Sequence, residues 1–455
     1  MKTIAFLAHN KSFTRIVPDV KALRQLGVKI VLLSNSKELR PNFIDELEFF
    51  EVNLGNDIEI ANILSKFDIT ALVTPSDHLI STVVRVCNIL KIKPPCDLAT
   101  AEIFINKYTH ILDAQAHGMA DYVPKCAIIK NHNDLMTLGN TMPGALFIKP
   151  DIGCGMRGVF PSDTKDAFIF EYQGLKNVGE LLSLLNKHDI VDEFITYCTT
   201  GKAAKYYYPT TPKALIQEFY HTNKSYTIQY VIINGEWYYV TTGQVFYWVQ
   251  ASDLRTGQML NPLQDPRTRL TDGTQLCTEE MGYYHLPEIP EHIFSFAQKC
   301  VEYMKSRFKI NNMGLTLGIH ETIDGKFLMT DLNPRVGGQW VINYQFSQPN
   351  FYLNYWDAFL HGAPASFEHK GPLGCINPIF IKPGKIKSSV LPEDTSTRII
   401  TYRERMAPGQ IVPKIQSMNS RDWEVKVYTA GKDLDEQVKN VLEVIQFMRD
   451  NIAYE

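Results

Sequence analysis

Over the first hundred residues, short β-branched apolar runs alternate with amphipathic stretches. Thr3 to Ala8 and Val28 to Leu33 predict buried strands, and Val17 to Leu26 between them has the spacing of a crossover helix. Ile58 to Phe67 is helical in period. Ile69 to Thr74 is a further strand, stopped at Pro75-Ser76-Asp77, and Leu79 to Leu90 returns to a helical period. Strands and helices alternating in this way predict a doubly wound parallel sheet with both faces covered. Pro94-Pro95 closes the unit.

The pattern then changes. Tyr108 to His117 predicts a helix, with Gly118 placed to stop it, and short strands follow at Lys125 to Ile129 and Ala145 to Lys149. Ala214 to Tyr220 is another strand. Tyr226 to Ile233 and Glu236 to Thr241 flank Asn234-Gly235, the strongest short hairpin signal. Ile293 to Phe308 predicts a helix. Thr316 to Glu321 and Lys326 to Leu332 flank Asp324-Gly325 as a second hairpin, and Glu424 to Tyr428 with Leu434 to Asp450 supplies a last strand and helix. Segment 160–212 is the least legible; within it Gly201 to Pro209 reads most simply as a surface loop, with a lid or a partner contact as the alternatives.

Composition narrows the function classes. The 455 residues are 45% hydrophobic and 21% charged, enough apolar material for buried cores, and the length suggests two to four domains. A formal net charge of -3 gives no field for gripping nucleic acid. No apolar run reaches the roughly 18 residues of a membrane span. Met1 to Ala8 lacks the apolar core and cleavage site of a signal peptide. Cys87, Cys96, Cys126, Cys154, Cys198, Cys277, Cys300 and Cys375 show no C-x-x-C spacing, so reduced thiols in a cytoplasmic protein are expected.

Three stretches carry candidate chemistry. In Phe147-Ile148-Lys149-Pro150-Asp151-Ile152-Gly153-Cys154-Gly155-Met156-Arg157-Gly158, a lysine leaves an apolar strand for a loop with three glycines. Glycines let backbone N–H groups converge on phosphate oxygens, and an ammonium adds charge for the same anion. A plain turn is the simpler alternative, since neither the Walker spacing nor a following helix start is present. In Asp331-Leu332-Asn333-Pro334-Arg335, Asp331 and Asn333 are two apart on a strand end and share a face, a donor pair suited to Mg²⁺. Arg335 follows as a guanidinium for a phosphate or oxyanion; a polar strand end before a Pro/Gly turn is the alternative. Gln217-Glu218-Phe219 at a strand end offers hydrogen bonds to a flat purine, but in isolation reads as an exposed glutamate.

In order and spacing these segments resemble the ATP-grasp superfamily of carboxylate–amine ligases, and among its members the bacterial L-amino acid ligases. The resemblance rests on Asn106-Lys107-Tyr108, the Lys149-Pro150 glycine loop, the Gln217-Glu218-Phe219 hinge and Asp331-x-Asn333-Pro334-Arg335-x-Gly337-Gly338, over roughly residues 1–365. It implies an α/β and α+β multidomain chain. A pre-ATP-grasp domain would span 1–105, a lid subdomain 106–217, a catalytic subdomain 218–365 and a small closing domain 366–455, where Ala430-Gly431-Lys432-Asp433 precedes a long helix. It also implies ATP and Mg²⁺ as cofactors, small-molecule carboxylate and amine substrates, an acyl phosphate intermediate, and a homodimer as one compatible assembly. Lys107 and Lys149 would contact the nucleotide, with Gly153, Gly155 and Gly158 as the lid over its phosphates. Gln217, Glu218 and Phe219 would hold adenine, Asp331 and Asn333 the metal. Arg335, and with it Lys149, would carry catalysis.

Two positions depart from the family pattern. Gly318 stands where relatives carry another metal carboxylate; His320 shares its face, whereas Glu321 points the other way unless the strand bulges. Asn223-Lys224-Ser225 replaces a ribose-binding acid. Arg255, Arg267 and Arg269 are candidates for clamping a substrate carboxylate, though surface positions are simpler; Tyr247 and Trp248 read as core, and Lys382, Lys385 and Lys387 as a solvated strand edge. The competing readings are a carboxylating or purine-pathway ligase and a nucleotide-binding protein with impaired catalysis. A nicotinamide dehydrogenase is disfavoured, because Ala8-His9-Asn10-Lys11-Ser12 replaces the glycine fingerprint.

Overall fold

The computed structural model describes residues 2–9, 13–36, 47–130, 134, 146–152, 213–218, 222–247, 281–286, 288–322, 324–335, 346, 348, 350–362, 365–367, 373–379, 384–401, 403–412 and 425–455. Successive side chains of a strand face opposite ways, and Thr3–Leu7 (β1) is buried throughout. Ile4 and Phe6 enter one apolar cluster, Ala5 and Leu7 another. That requires helices on both faces. Phe13–Gln25 (α1) covers the first; Asp57–Leu64 (α2) and Ile80–Leu90 (α3) cover the second. Lys29–Ser34 (β2), Glu48–Glu51 (β3) and Ile69–Val73 (β4) complete a parallel sheet of order β3-β2-β1-β4. The crossover helix starts four residues before the predicted Val17, with Pro18 inside it.

Leu98–Ile105 (α4) and Lys107–Ala114 (α5) follow, and Gly118 at φ +83° lets the chain leave the helical turn after α5. Cys126–Ile129 (β5), Leu146–Pro150 (β6) and Ala214–Glu218 (β7) form a small antiparallel sheet with β7 central. The larger sheet is antiparallel throughout. Its strands are Thr222–Ile233 (β8), Glu236–Tyr247 (β9), Met281–Leu286 (β10), Met313–Thr322 (β11) and Phe327–Asn333 (β12), with Glu291–Arg307 (α6) between β10 and β11. The β8–β9 turn places Asn234 and Gly235 at φ +54° and +90°, the left-handed pair of a type I′ hairpin. After Phe351–His361 (α7), Leu373–Ile379 (β13), Gly384–Ser389 (β14), Arg398–Thr401 (β15), Ile411–Val412 (β16), Val425–Gly431 (β17), Leu434–Asn451 (α8) and Ile452–Tyr454 (β18) complete the chain. β13, β17 and β15 extend the large sheet to the order β12-β11-β8-β9-β10-β13-β17-β15. β14 is the middle of its own three strands, so Lys385 and Lys387 are solvated but not on an edge; Lys385 pairs with Glu455. Lys382 lies outside the described residues.

Two cores position the site. α4, α5 and α6 pack on β8, β11 and β12 through Phe104, Ile111, Phe296, Leu317 and Met329. Asp113 of α5 accepts from the Tyr303 hydroxyl at 2.9 Å and Arg307 Nε at 2.8 Å, tying α5 to α6. The second core lies between the parallel sheet and the β8–β9 hairpin, where α7 packs against α1. There the Trp356 indole N–H donates to Asp19 at 2.8 Å, and burial pushes the Asp19 carboxyl up to about 7. Because the folded value lies above the unfolded one, the protonated form stabilises the fold fully below about pH 4. That contribution is lost as pH rises through about 7. Asp19→Asn keeps an acceptor for Trp356 without the charge. Its stability advantage over wild type should grow from pH 4 to 7 and reach on the order of 2 kcal/mol at pH 8, solvent screening included; urea melts across that range measure it.

Cys87, Cys96, Cys126 and Cys300 are free thiols, and burial pushes Cys87, Cys96 and Cys300 up to about 12, which keeps them unreactive at neutral pH. Among the described residues, no helix is long and apolar enough to cross a membrane.

Candidate active site

α5 begins at Asn106, whose side chain caps the helix by accepting from the Thr109 N–H at 2.9 Å. Packing of α4 and α5 onto β11 and β12 brings Lys107, at the start of α5, to a cleft at the end of β12. Asp331 and Asn333 line the same cleft, with Thr330 and Leu332 between and beside them. The remaining walls are Phe104, Ile105 and His110 from α4 and α5, Ile152 beyond β6, and Asp77 with His78 beyond β4. Four separate parts of the chain thus meet there.

Asp151 fixes the junction between α5 and the small sheet. Its carboxylate accepts from the Lys213 N–H at 2.7 Å and the Asn106 amide at 3.0 Å, and its carbonyl accepts from the Lys107 N–H at 2.7 Å. Burial raises the Asp151 carboxyl above its ordinary value, opposed by those donors. The residue sits within the quoted lysine-glycine stretch, but nothing in the spacing marks it as a clasp. Asp77, His78 and His110 gave no sequence signal either, because folding alone brings them to β12.

Arg335, one residue past Pro334, has its Nε 2.5 Å from Asp77 Oδ1, both side chains mostly buried. Lys149 lies in β6 opposite Leu215 of β7. Gln217 is buried on β7, and its Oε1 has no hydrogen-bond partner among the described residues. Glu218 accepts from the Lys125 N–H at 3.1 Å and stands 3.7 Å from its ammonium. Lys107, Asp331 and Asn333 therefore share the cleft, whereas Gln217, Glu218 and Lys149 belong to the small sheet that leads into it through Ile152. Gly153, Gly155, Gly158 and Phe219 lie outside the described residues, as do segment 160–212, Trp248, Arg255, Arg267 and Arg269.

Gly318 pairs across the ladder with Asp331, and the register shifts at the next residue. A Cβ at 318 would meet Thr330 Oγ1 at 3.1 Å and Asp331 Cβ and backbone N at 3.3 Å. Glycine is therefore what lets Asp331 pass so close to β11. Glu321 turns away from the cleft to His292, at 3.3 Å, and neither it nor His320 is among the cleft-lining residues. We expect Gly318→Ala to destabilise the protein by about 1–3 kcal/mol through overpacking, and Gly318→Asp by no less, as read by urea melts.

As a metal site the cleft offers few ligands. No three His, Cys, Asp or Glu side chains cluster as a site among the described residues. The Asp331 and Asn333 oxygens fit Mg²⁺, which keeps waters and phosphate oxygens as its remaining ligands; a softer metal wanting nitrogen or sulfur would find no set here.

No family model and no curated protein matches the sequence. Solved structures do. The L-amino acid ligase of Bacillus licheniformis superposes with a TM-score of 0.68 at 14% identity, covering 100% of this chain and 99% of that one. The phosphoribosylglycinamide synthetase of Anaerococcus prevotii gives 0.62 at 13%, with 100% of both chains covered. The biotin carboxylase domain of Hydrogenobacter thermophilus 2-oxoglutarate carboxylase, solved with MgADP and bicarbonate, gives 0.63 at 11% over 98% and 90%. The chain shares the ATP-grasp fold of these structures. By name these neighbours are an L-amino acid ligase, a phosphoribosylglycinamide synthetase and a biotin carboxylase domain.

Proposed function

We propose that this chain is an ATP-dependent ligase that joins a carboxylate to an amine through an acyl phosphate, on amino-acid-like substrates. The observation that carries the reading is the convergence of Lys107 with Asp331 and Asn333 in one cleft, with the Arg335 pair at its edge. The Bacillus licheniformis neighbour acts as an L-amino acid ligase by its name, which supports the substrate class.

In this reading Lys107 and Lys149 bind phosphate oxygens as point charges, and Gly153, Gly155 and Gly158 close over them. Gln217, whose buried Oε1 suits an N–H donor, holds the adenine with Glu218 and Phe219. Asp331 and Asn333 hold Mg²⁺, which when bound neutralises charge on the phosphates. Arg335 steadies the charge that develops as the carboxylate takes the γ-phosphoryl group and as the amine displaces phosphate. The α4–α5 wall helps exclude water from the acyl phosphate. The division into an amino-terminal domain, lid, catalytic lobe and closing segment, at 1–105, 106–217, 218–365 and 366–455, belongs to the same proposal.

The test is a phosphate-release screen over paired amino acids at saturating Mg²⁺ and ATP, with products identified by mass. ADP, phosphate and an amide are expected only when both carboxylate and amine are present. Because one neighbour was solved with bicarbonate, a second arm adds bicarbonate. Turnover that depends on it would replace the amino-acid reading with a carboxylating one, and ATP binding without turnover across both arms would reject the ligase.

A further inference from the structure

The parallel sheet has its topological switch between β1 and β4, because β2 and β3 lie on one side of β1 and β4 on the other. Ligands of such sheets bind beyond the carboxyl ends of the strands at that point. Beyond β4 the chain turns tightly: the Ser76 N–H donates to Thr74 Oγ1 at 3.1 Å, and the Leu79 N–H donates to the Ser76 carbonyl at 3.1 Å. It then enters α3, anchored by buried Ile80, Val83 and Val84. Asp77 is thereby mounted on a fixed turn, 7% exposed, at the cleft wall.

Arg335 comes from the opposite side with its own backbone fixed. Its N–H donates to the Asn333 carbonyl at 2.8 Å, and its carbonyl accepts from Thr316 Oγ1 at 3.2 Å. The side chains meet as a close ion pair, Nε to Oδ1 at 2.5 Å, without the alignment of a hydrogen bond. A buried carboxylate without a counterion is costly, and a buried ion pair adds little net stability over an apolar one, so its best-attested use is to fix register. A guanidinium is planar, and a fixed carboxylate packed against its Nε edge restricts the directions that plane can take. We propose that Asp77 is a positioning residue: it orients the Arg335 guanidinium for the acyl-phosphate step and links the amino-terminal sheet to the strand bearing Asp331 and Asn333. This rests on the ligase reading above.

Asp77→Asn keeps the shape and an acceptor but removes the charge. It should lower kcat about 10- to 100-fold, as misplacement of an attacking or stabilising group does, with the KM for ATP within about twofold. Asp77→Glu keeps the charge on a longer stem, and should lower kcat while the melting temperature stays near wild type. In an Arg335→Lys background, Asp77→Asn should change kcat by less than about twofold, since the group it orients is gone. A readout without substrate is the Arg335 guanidinium Nε–H resonance, assigned through Arg335→Lys. It should be protected from exchange in wild type and lose protection in Asp77→Asn. Unchanged kcat in Asp77→Glu, a full-sized loss in the Arg335→Lys background, or protection that survives Asp77→Asn would each overturn the proposal. If the wild type joins no carboxylate–amine pair, the ligase reading fails by itself, and the resonance alone then decides whether Asp77 holds Arg335.

Discussion

Arg335→Ala is expected to lower kcat about 10²- to 10³-fold while the KM for ATP stays within about threefold. This is the signature of a contact made as charge develops in the transition state. The residue follows closely on the strand end that carries Asp331 and Asn333, and its guanidinium pairs with Asp77, which lines the cleft. Truncation has a structural side effect, because it leaves the mostly buried Asp77 without its counterion. Breaking such pairs costs about 3–5 kcal/mol, so a lower melting temperature accompanies the loss. Arg335→Lys separates the two effects. It keeps a cation for Asp77 but not the planar fork, so the melting temperature should stay close to wild type while kcat still falls about tenfold or more. Steady-state ADP release with both substrates, at a temperature where each variant is folded, measures this. An unchanged kcat with a raised KM for ATP would reassign Arg335 to ground-state phosphate binding.

The parts of the fold that were legible are those whose periods are unambiguous. β1, β2 and β4 are uninterrupted β-branched runs, and the Asn234-Gly235 hairpin forms where its turn chemistry demands. β3 escaped because Glu48-Phe49-Phe50-Glu51 is short, lies at the sheet edge and carries a charge at each end. α4 escaped because Leu98 to Ile105 is apolar on nearly every side and so shows no helical stripe. α7, Phe-Tyr-Leu-Asn-Tyr-Trp at its start, is rich in aromatic residues that favour strands, and becomes helical where it packs between the parallel sheet and the β8–β9 hairpin. The same logic divides the site. Asp331 and Asn333 could be paired by strand period alone. Lys107 could be tied to them only through the resemblance, and Asp77, His78, His110 and Asp151 only through packing. The hinge shows the converse limit: spacing marks Gln217 and Glu218, yet only the structure shows Glu218 engaged with Lys125.

Asp331→Asn should raise the Mg²⁺ concentration needed for half-maximal turnover by at least about 10- to 100-fold, the range already seen when mere outer-shell partners are lost. The argument follows from how few ligands the cleft supplies. With Gly318 in place of a side chain opposite Asp331, and Glu321 turned to His292, Asp331 is the sole carboxylate contributed by the β11–β12 pair. Asparagine preserves the shape and one oxygen but removes the charge on which a hard cation depends. Asp331 is exposed at the cleft, so the substitution leaves no buried group unpaired, and the melting temperature should hardly move. Turnover titrated with Mg²⁺ at fixed substrates gives the midpoint, and high Mg²⁺ should recover part of the lost rate. A midpoint equal to wild type would take the metal away from β12 altogether. Asp77, the other carboxylate lining this cleft, would then be the next residue to test by the same titration.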